Sequence, residues 1–239
     1  IRLGNREEAV HHMERAVALS PRNLYDATQL ASFLFDLRRF ETALQVAERF
    51  VRLFPNDSFA RELFVRSEFS LLGGRSEFLQ ALANVPLSGR DPNGLRAEYD
   101  RAMRAHDFAA AERTLVDPRL SGITDLQSVI NEPTALHRAL VAFLVGKHEA
   151  AQQFADEAMA EFGRHSWTPR QRPFVMLGVA RAKAFAGRTG ESVREAQEAV
   201  ILALKLDAYG GRFALLESGR MYAAIGRREE ALTALRELM

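Results

Sequence analysis

Apolar residues in this chain return every three or four positions, and no segment alternates apolar and polar residues as a half-buried strand would. One stripe reads Ala27, Leu30, Ala31, Leu34, and the next reads Phe40, Ala43, Ala47, Phe50. Spacings of i, i+3, i+4 and i+7 place each set on one helix face. The segment Phe54-Pro55-Asn56-Asp57 then breaks the pattern. Proline lacks an N–H and clashes with the preceding turn, so a helix ends there, and Asp57 or Ser58 is placed to cap the next one. Ala, Leu, Glu and Arg fill much of the chain, residues that lose little freedom in a helix. The pattern predicts an all-α protein built from short helices.

These markers repeat. Ala9 returns as Ala43 and Pro21 as Pro55, each 34 residues on. A fixed period of this size is the mark of a stacked helical array. Within each unit the reversal between helices falls at Gly4, Arg38, Leu72, His106, Gly146, Gly187 and Gly226, in steps of 34, 34, 34, 40, 41 and 39. Glycine suits such a reversal because the residue after the helix takes positive φ. The change of step predicts an N-terminal part over residues 1–116, a connection over 117–132, and a C-terminal part of longer units over 133–239. Asp117-Pro118, Ser121-Gly122 and Glu132-Pro133 mark the connection as a place where the array bends. The unit around Leu72 departs from the pattern, because Gly73-Gly74 crowd the turn and Glu77 stands where a small residue is expected.

Small residues at the helix crossing, a turn residue between the helices and a proline after the second resemble the tetratricopeptide repeat over nearly the whole chain. That resemblance implies a right-handed superhelical solenoid of about six to seven antiparallel helix hairpins, which binds peptides or proteins along its concave face. A narrower similarity covers Gly187 to Leu238, through Glu191, Val193-Arg194-Glu195, Ala199-Val200, Asp207-Ala208-Tyr209-Gly210, Tyr222, Gly226 and Glu230-Ala231-Leu232. It resembles the C-terminal repeat segment of bacterial signalling proteins such as Ser/Thr kinases, adenylate cyclases and winged-helix regulators, although the proline expected before Asp207 is absent. The resemblance implies a partner-binding appendage of a larger signalling protein, with a structural or dimerisation module that positions an attached domain as the alternative.

Charge narrows the partner. With 32 Lys and Arg against 31 Asp and Glu, the net charge is +1, so no bulk field draws this segment to nucleic acid. The longest apolar stretch, Ala139 to Gly146, is too short for membrane insertion, and Pro173 to Gly187 is interrupted by Arg181 and Lys183. The chain opens at Ile1 in a half-spent repeat, which predicts a piece of a longer protein without its targeting region, the cytoplasm being favoured over the periplasm.

No catalytic chemistry emerges. There is no cysteine. His148-Glu149 begins like a zinc-protease pair, but position 152 is Gln, and His11, His12, His106, His137 and His165 are scattered. Gly187-Arg188-Thr189-Gly190-Glu191-Ser192 lacks the lysine and spacing of a phosphate loop. The expectation is a non-catalytic chain with no metal and no cofactor.

The candidate surface is the groove face of the first helix in each unit: Tyr25, Thr28, Ser32 and Phe35; Arg66; Arg96, Asp100 and Arg104; Leu136, Leu140 and Phe143; Arg181; Arg220. Arginine forks grip carboxylates in two-point fashion while apolar neighbours supply area, which predicts an acidic or carboxylate-ended peptide partner. The competing reading is that these arginines are solvated or packed along their stems. Leu136, Leu140, Phe143 and Leu144 make their helix apolar on all sides, so it is either buried by neighbours or mated with another copy of the chain. Trp167 either plugs the connection it lies in or anchors a partner.

Overall fold

The computed structural model describes residues 6–55, 57, 60, 61, 63–65, 67, 68, 92–120 and 132–238. Among these the helices are α1 (Arg6–Leu19), α2 (Leu24–Asp36), α3 (Phe40–Leu53), α4 (Pro92–Ala105), α5 (Phe108–Leu115), α6 (Thr134–Leu144), α7 (His148–Gly163), α8 (Arg172–Phe185), α9 (Thr189–Leu206), α10 (Ala208–Ala224) and α11 (Arg228–Leu238). The all-α expectation holds, with no strand among the described residues.

One device makes the hairpins. Arg38, His106, Gly146, Gly187 and Gly226 all have positive φ, between 58° and 81°. These are five of the seven reversal positions expected from the period; Gly4 and Leu72 lie outside the described residues. At each, the next residue's N–H returns to a carbonyl five positions back: Arg39 to Leu34, Asp107 to Ala102, Lys147 to Ala142, Arg188 to Lys183 and Arg227 to Tyr222, at 2.8–2.9 Å. This left-handed cap satisfies a carbonyl that the ending helix leaves open and turns the chain back at once.

Three helix starts are capped just as locally by a side chain. Asn23 Oδ1 accepts from the Tyr25 and Asp26 N–H groups, and Asn23 Nδ2 donates to Asp26, closing the start of α2. Asp57 accepts from the Ala60 N–H at 2.8 Å, as the sequence predicted. Asp207 caps α10 by accepting from the Gly210 N–H at 2.6 Å, and Arg170 holds the same carboxylate at 3.0 Å.

The described residues form two compact units, one ending at Asp107 and the other beginning at Phe108. In the N-terminal unit α2 packs against both α1 and α3. Val10, Val17, Ala27, Leu30, Leu34, Ala43 and Phe50 are buried between these helices. The stripes read from the sequence are therefore the packing surface, apart from Phe40, which is half-buried.

In the C-terminal unit every helix from α6 to α11 packs on the one before it, and the first helices of successive hairpins also meet, α6 on α8 and α8 on α10. Small residues permit these close crossings: Ala139, Ala155, Ala158, Ala180, Ala196, Ala199 and Ala203 are fully buried. At Gly178 even a methyl group is excluded, since a Cβ there would lie 2.5 Å from Phe162 Cζ. Much of the apolar α6 is buried: α5, α7 and α8 cover it, and Leu136 is in the core with Ala139, Val141 and Ala142, while Leu140 and Phe143 stay half-buried and Leu144 is exposed. Trp167 packs as a plug, its ring against those of Phe162 and His165 and its Nε1 donating to the Phe162 carbonyl at 2.8 Å.

Candidate functional site

The residues expected on the groove face divide sharply by environment. In the N-terminal unit, α2 carries Tyr25 with 67% of its surface exposed. Thr28, one turn on, is buried and donates its hydroxyl to the Tyr25 carbonyl at 2.8 Å, so it belongs to the packing rather than to an open face. Asp100 and Arg104 of α4 are half-buried, with part of each reachable from solvent. Ser32, Phe35 and Arg96 fall within α2 and α4, but their side chains, and all of Arg66, lie outside the described residues.

In the C-terminal unit the expected face is largely closed. Leu136 has no exposed surface and is a core residue, which corrects its assignment to an open groove. Its neighbours on α8 complete an apolar wall that α6, α8 and α10 share. Leu140 and Phe143 keep partial exposure, the Phe143 ring lying 5.7 Å from that of Phe185 and 6.3 Å from that of His148. On α6 the expected face therefore presents only the rims of these two side chains.

Arg181 corrects the expectation most strongly. It is buried, with Nη1 2.5 Å from Glu132 Oε1 and 3.4 Å from Glu217 Oε2. Glu132 lies just before α6, Arg181 on α8 and Glu217 on α10, so one guanidinium ties three successive first helices. His137 Nε2 sits 3.2 Å from the other Glu132 oxygen, and Arg220, largely exposed, reaches Glu217 at 2.5 Å. The fork does grip carboxylates, but they belong to its own chain.

Electrostatics explains why these charges remain ionised in the interior. Burial alone would push the Glu132 carboxyl up, but the Arg181 charge, the His137 hydrogen bond and the Arg181 hydrogen bond hold it down at about 2. A carboxylate at this depth is tolerable only with a partner charge in contact. Lys183 repeats the principle nearer the surface. It bonds Glu195 and lies 3.3 Å from Glu191, joining α8 to α9, and its pKa is raised, first by the Glu195 hydrogen bond.

Sequence reasoning missed Glu132, His137 and Glu217. The signal for Glu217 was present: one carboxylate between Leu215-Leu216 and Ser218-Gly219, inside an apolar stripe, demands a cation. Glu132 carried no such signal, because it reads as a turn residue before Pro133. Among the described residues no group of three His, Asp or Glu side chains is placed to hold a metal ion, and no helix is long and apolar enough to cross a membrane.

Solved structures superpose on this arrangement of helix hairpins. A tetratricopeptide repeat protein from Parabacteroides merdae superposes with a TM-score of 0.52 at 12% identity, over 98% of this chain and 86% of that one. This chain has the tetratricopeptide-repeat fold. The anaphase-promoting complex hetero-tetramer of Cut9 and Hcn1 contains a chain that matches with a TM-score of 0.54 at 11% identity, over 98% of this chain and 43% of its own length. No protein-family model matches the sequence, and no curated protein matches it. In tetratricopeptide terms, Arg181, Leu140 and Arg220 each lie six residues before a reversal glycine, at one equivalent position of three first helices.

Proposed function

We propose that this chain is a non-catalytic protein–protein interaction scaffold, part of a larger bacterial signalling or regulatory protein, that holds a peptide or protein on the first-helix face of its N-terminal unit. The observation that carries the reading is Tyr25, a large aromatic side chain left 67% exposed on a helix whose other face is fully packed. Tyrosine combines a large rigid area with a polar tip and loses little entropy on contact, which suits an interface anchor. By their register in the sequence Arg66, Arg96 and Arg104 are expected on the same series of first helices, which favours an acidic or carboxylate-ended segment.

The second reading, a structural module that positions an attached domain, is favoured for the C-terminal unit by the burial of Leu136 and Arg181. Groove residues turned into core and ion cluster make that unit stiff rather than receptive.

The test is capture from an array of acidic peptides with free or amidated C-termini. Substituting Tyr25, Arg66, Arg96 and Arg104 together by Ala lowers capture at least tenfold on this reading and flattens its dependence on salt. Unchanged capture at every salt concentration would overturn it.

A further inference from the structure

We propose that the second half of α9 is a self-association face through which two copies of this chain pair antiparallel about a twofold axis near Ile201. This goes beyond the peptide-binding reading and rests on different residues.

Among the described second helices, α3 and α11 each expose a single leucine, Leu53 and Leu235, whereas the second half of α9 exposes Ile201, Leu204 and Leu206. Counting fourteen residues from the reversal places Arg52 on α3, Ala160 on α7 and Ile201 on α9 at equivalent sites. Ile201 is 54% exposed, and Leu204, three residues on and thus on the same face, is 46% exposed. The helix is also the longest described, at 18 residues, so this stretch projects as a regular surface.

Charge selects the occupant. In the first half of α9, Glu191 and Glu195 are engaged by Lys183. In the second half Glu198 and Lys205 are exposed, and among the described residues neither holds an ion pair. They are seven residues apart, at the same flanking position on either side of Ile201, too far along one helix to pair with each other. A second α9 laid antiparallel over Ile201 brings its Lys205 against Glu198 and its Glu198 against Lys205. A twofold interface requires this kind of self-complementarity. A parallel neighbour would instead set like charges together. Two aliphatic side chains per copy form a small patch, so the pairing is weak and concentration-dependent.

The test is sedimentation equilibrium of the full chain from about 5 to 500 µM, a range chosen to span weak association. The apparent mass should rise above 26.8 kDa toward twice that value. Ile201→Asp should abolish the rise. Glu198→Lys should suppress it, and Glu198→Lys with Lys205→Glu should restore it, with thermal midpoints confirming that each variant is folded. A monomer at every concentration, or a double swap that fails to restore association, overturns the proposal.

Discussion

At the residue scale, the reversal between helices is a single conformational demand met by two chemistries. Gly146, Gly187 and Gly226 meet it without strain, while Arg38 and His106 adopt the same left-handed conformation with a Cβ attached. No atom lies within 4 Å of a Cβ built on the three glycines, so the cost of a side chain there is a backbone cost alone. Gly187→Ala should therefore destabilise by about 1 kcal/mol, and Arg38→Gly should stabilise by a similar or smaller amount. Urea unfolding midpoints of the two variants measure both signs.

Glu132 gives a pH signature at the same scale. Its folded pKa of about 2 lies below the ordinary value of 4.5 for a free glutamate, so the ionised form favours the folded state. That contribution, on the order of 3 kcal/mol, is fully present above about pH 4.5 and is lost as pH falls through about 2. Glu132→Gln should thus be less stable than the parent at pH 7, with the gap narrowing toward pH 2. Unfolding curves across that range read the difference directly. A gap that stays constant would mean the carboxylate's charge contributes nothing.

At the scale of elements, the sequence and the structure agree where the signal was periodic and part where it was positional. The stripes of α2 and α3 follow from helical spacing, and five reversals follow from the repeat. Assigning residues to a groove required knowing how close neighbouring first helices come, which no single-helix pattern contains. Leu136 sits beside the packing stripe, where an open face is expected, yet α8 approaches near enough to help bury it. The sequence pattern offers Arg181 as a grip for a foreign carboxylate, whereas Glu132, 49 residues earlier, provides one from within. Such long-range pairing leaves no local trace.

The close approach has its own test. Gly178→Ala puts a methyl group into the Phe162 ring between α8 and α7, and overpacking of this kind costs about 1–3 kcal/mol. Calorimetry should show a lowered Tm. Gly190→Ala on the exposed start of α9, where nothing lies within 4 Å of the added Cβ, should not lower it.

At the scale of the whole molecule, the two units differ in how they treat their first helices. The C-terminal unit uses them as structure, joining α6, α8 and α10 through the apolar wall and the Glu132–Arg181–Glu217 cluster. The N-terminal unit leaves Tyr25 exposed and places Asp100 and Arg104 at partly accessible sites. This asymmetry puts the proposed partner on the N-terminal unit, and a fold shared with proteins of 11–12% identity does not itself choose a partner.

Hydrogen–deuterium exchange of the full chain, with and without the tightest acidic peptide from the array, tests that placement most directly. The account predicts slowed exchange in α2 and α4, with α8 and α10 unchanged. Protection confined to α8 and α10, or to the second helices, would contradict it.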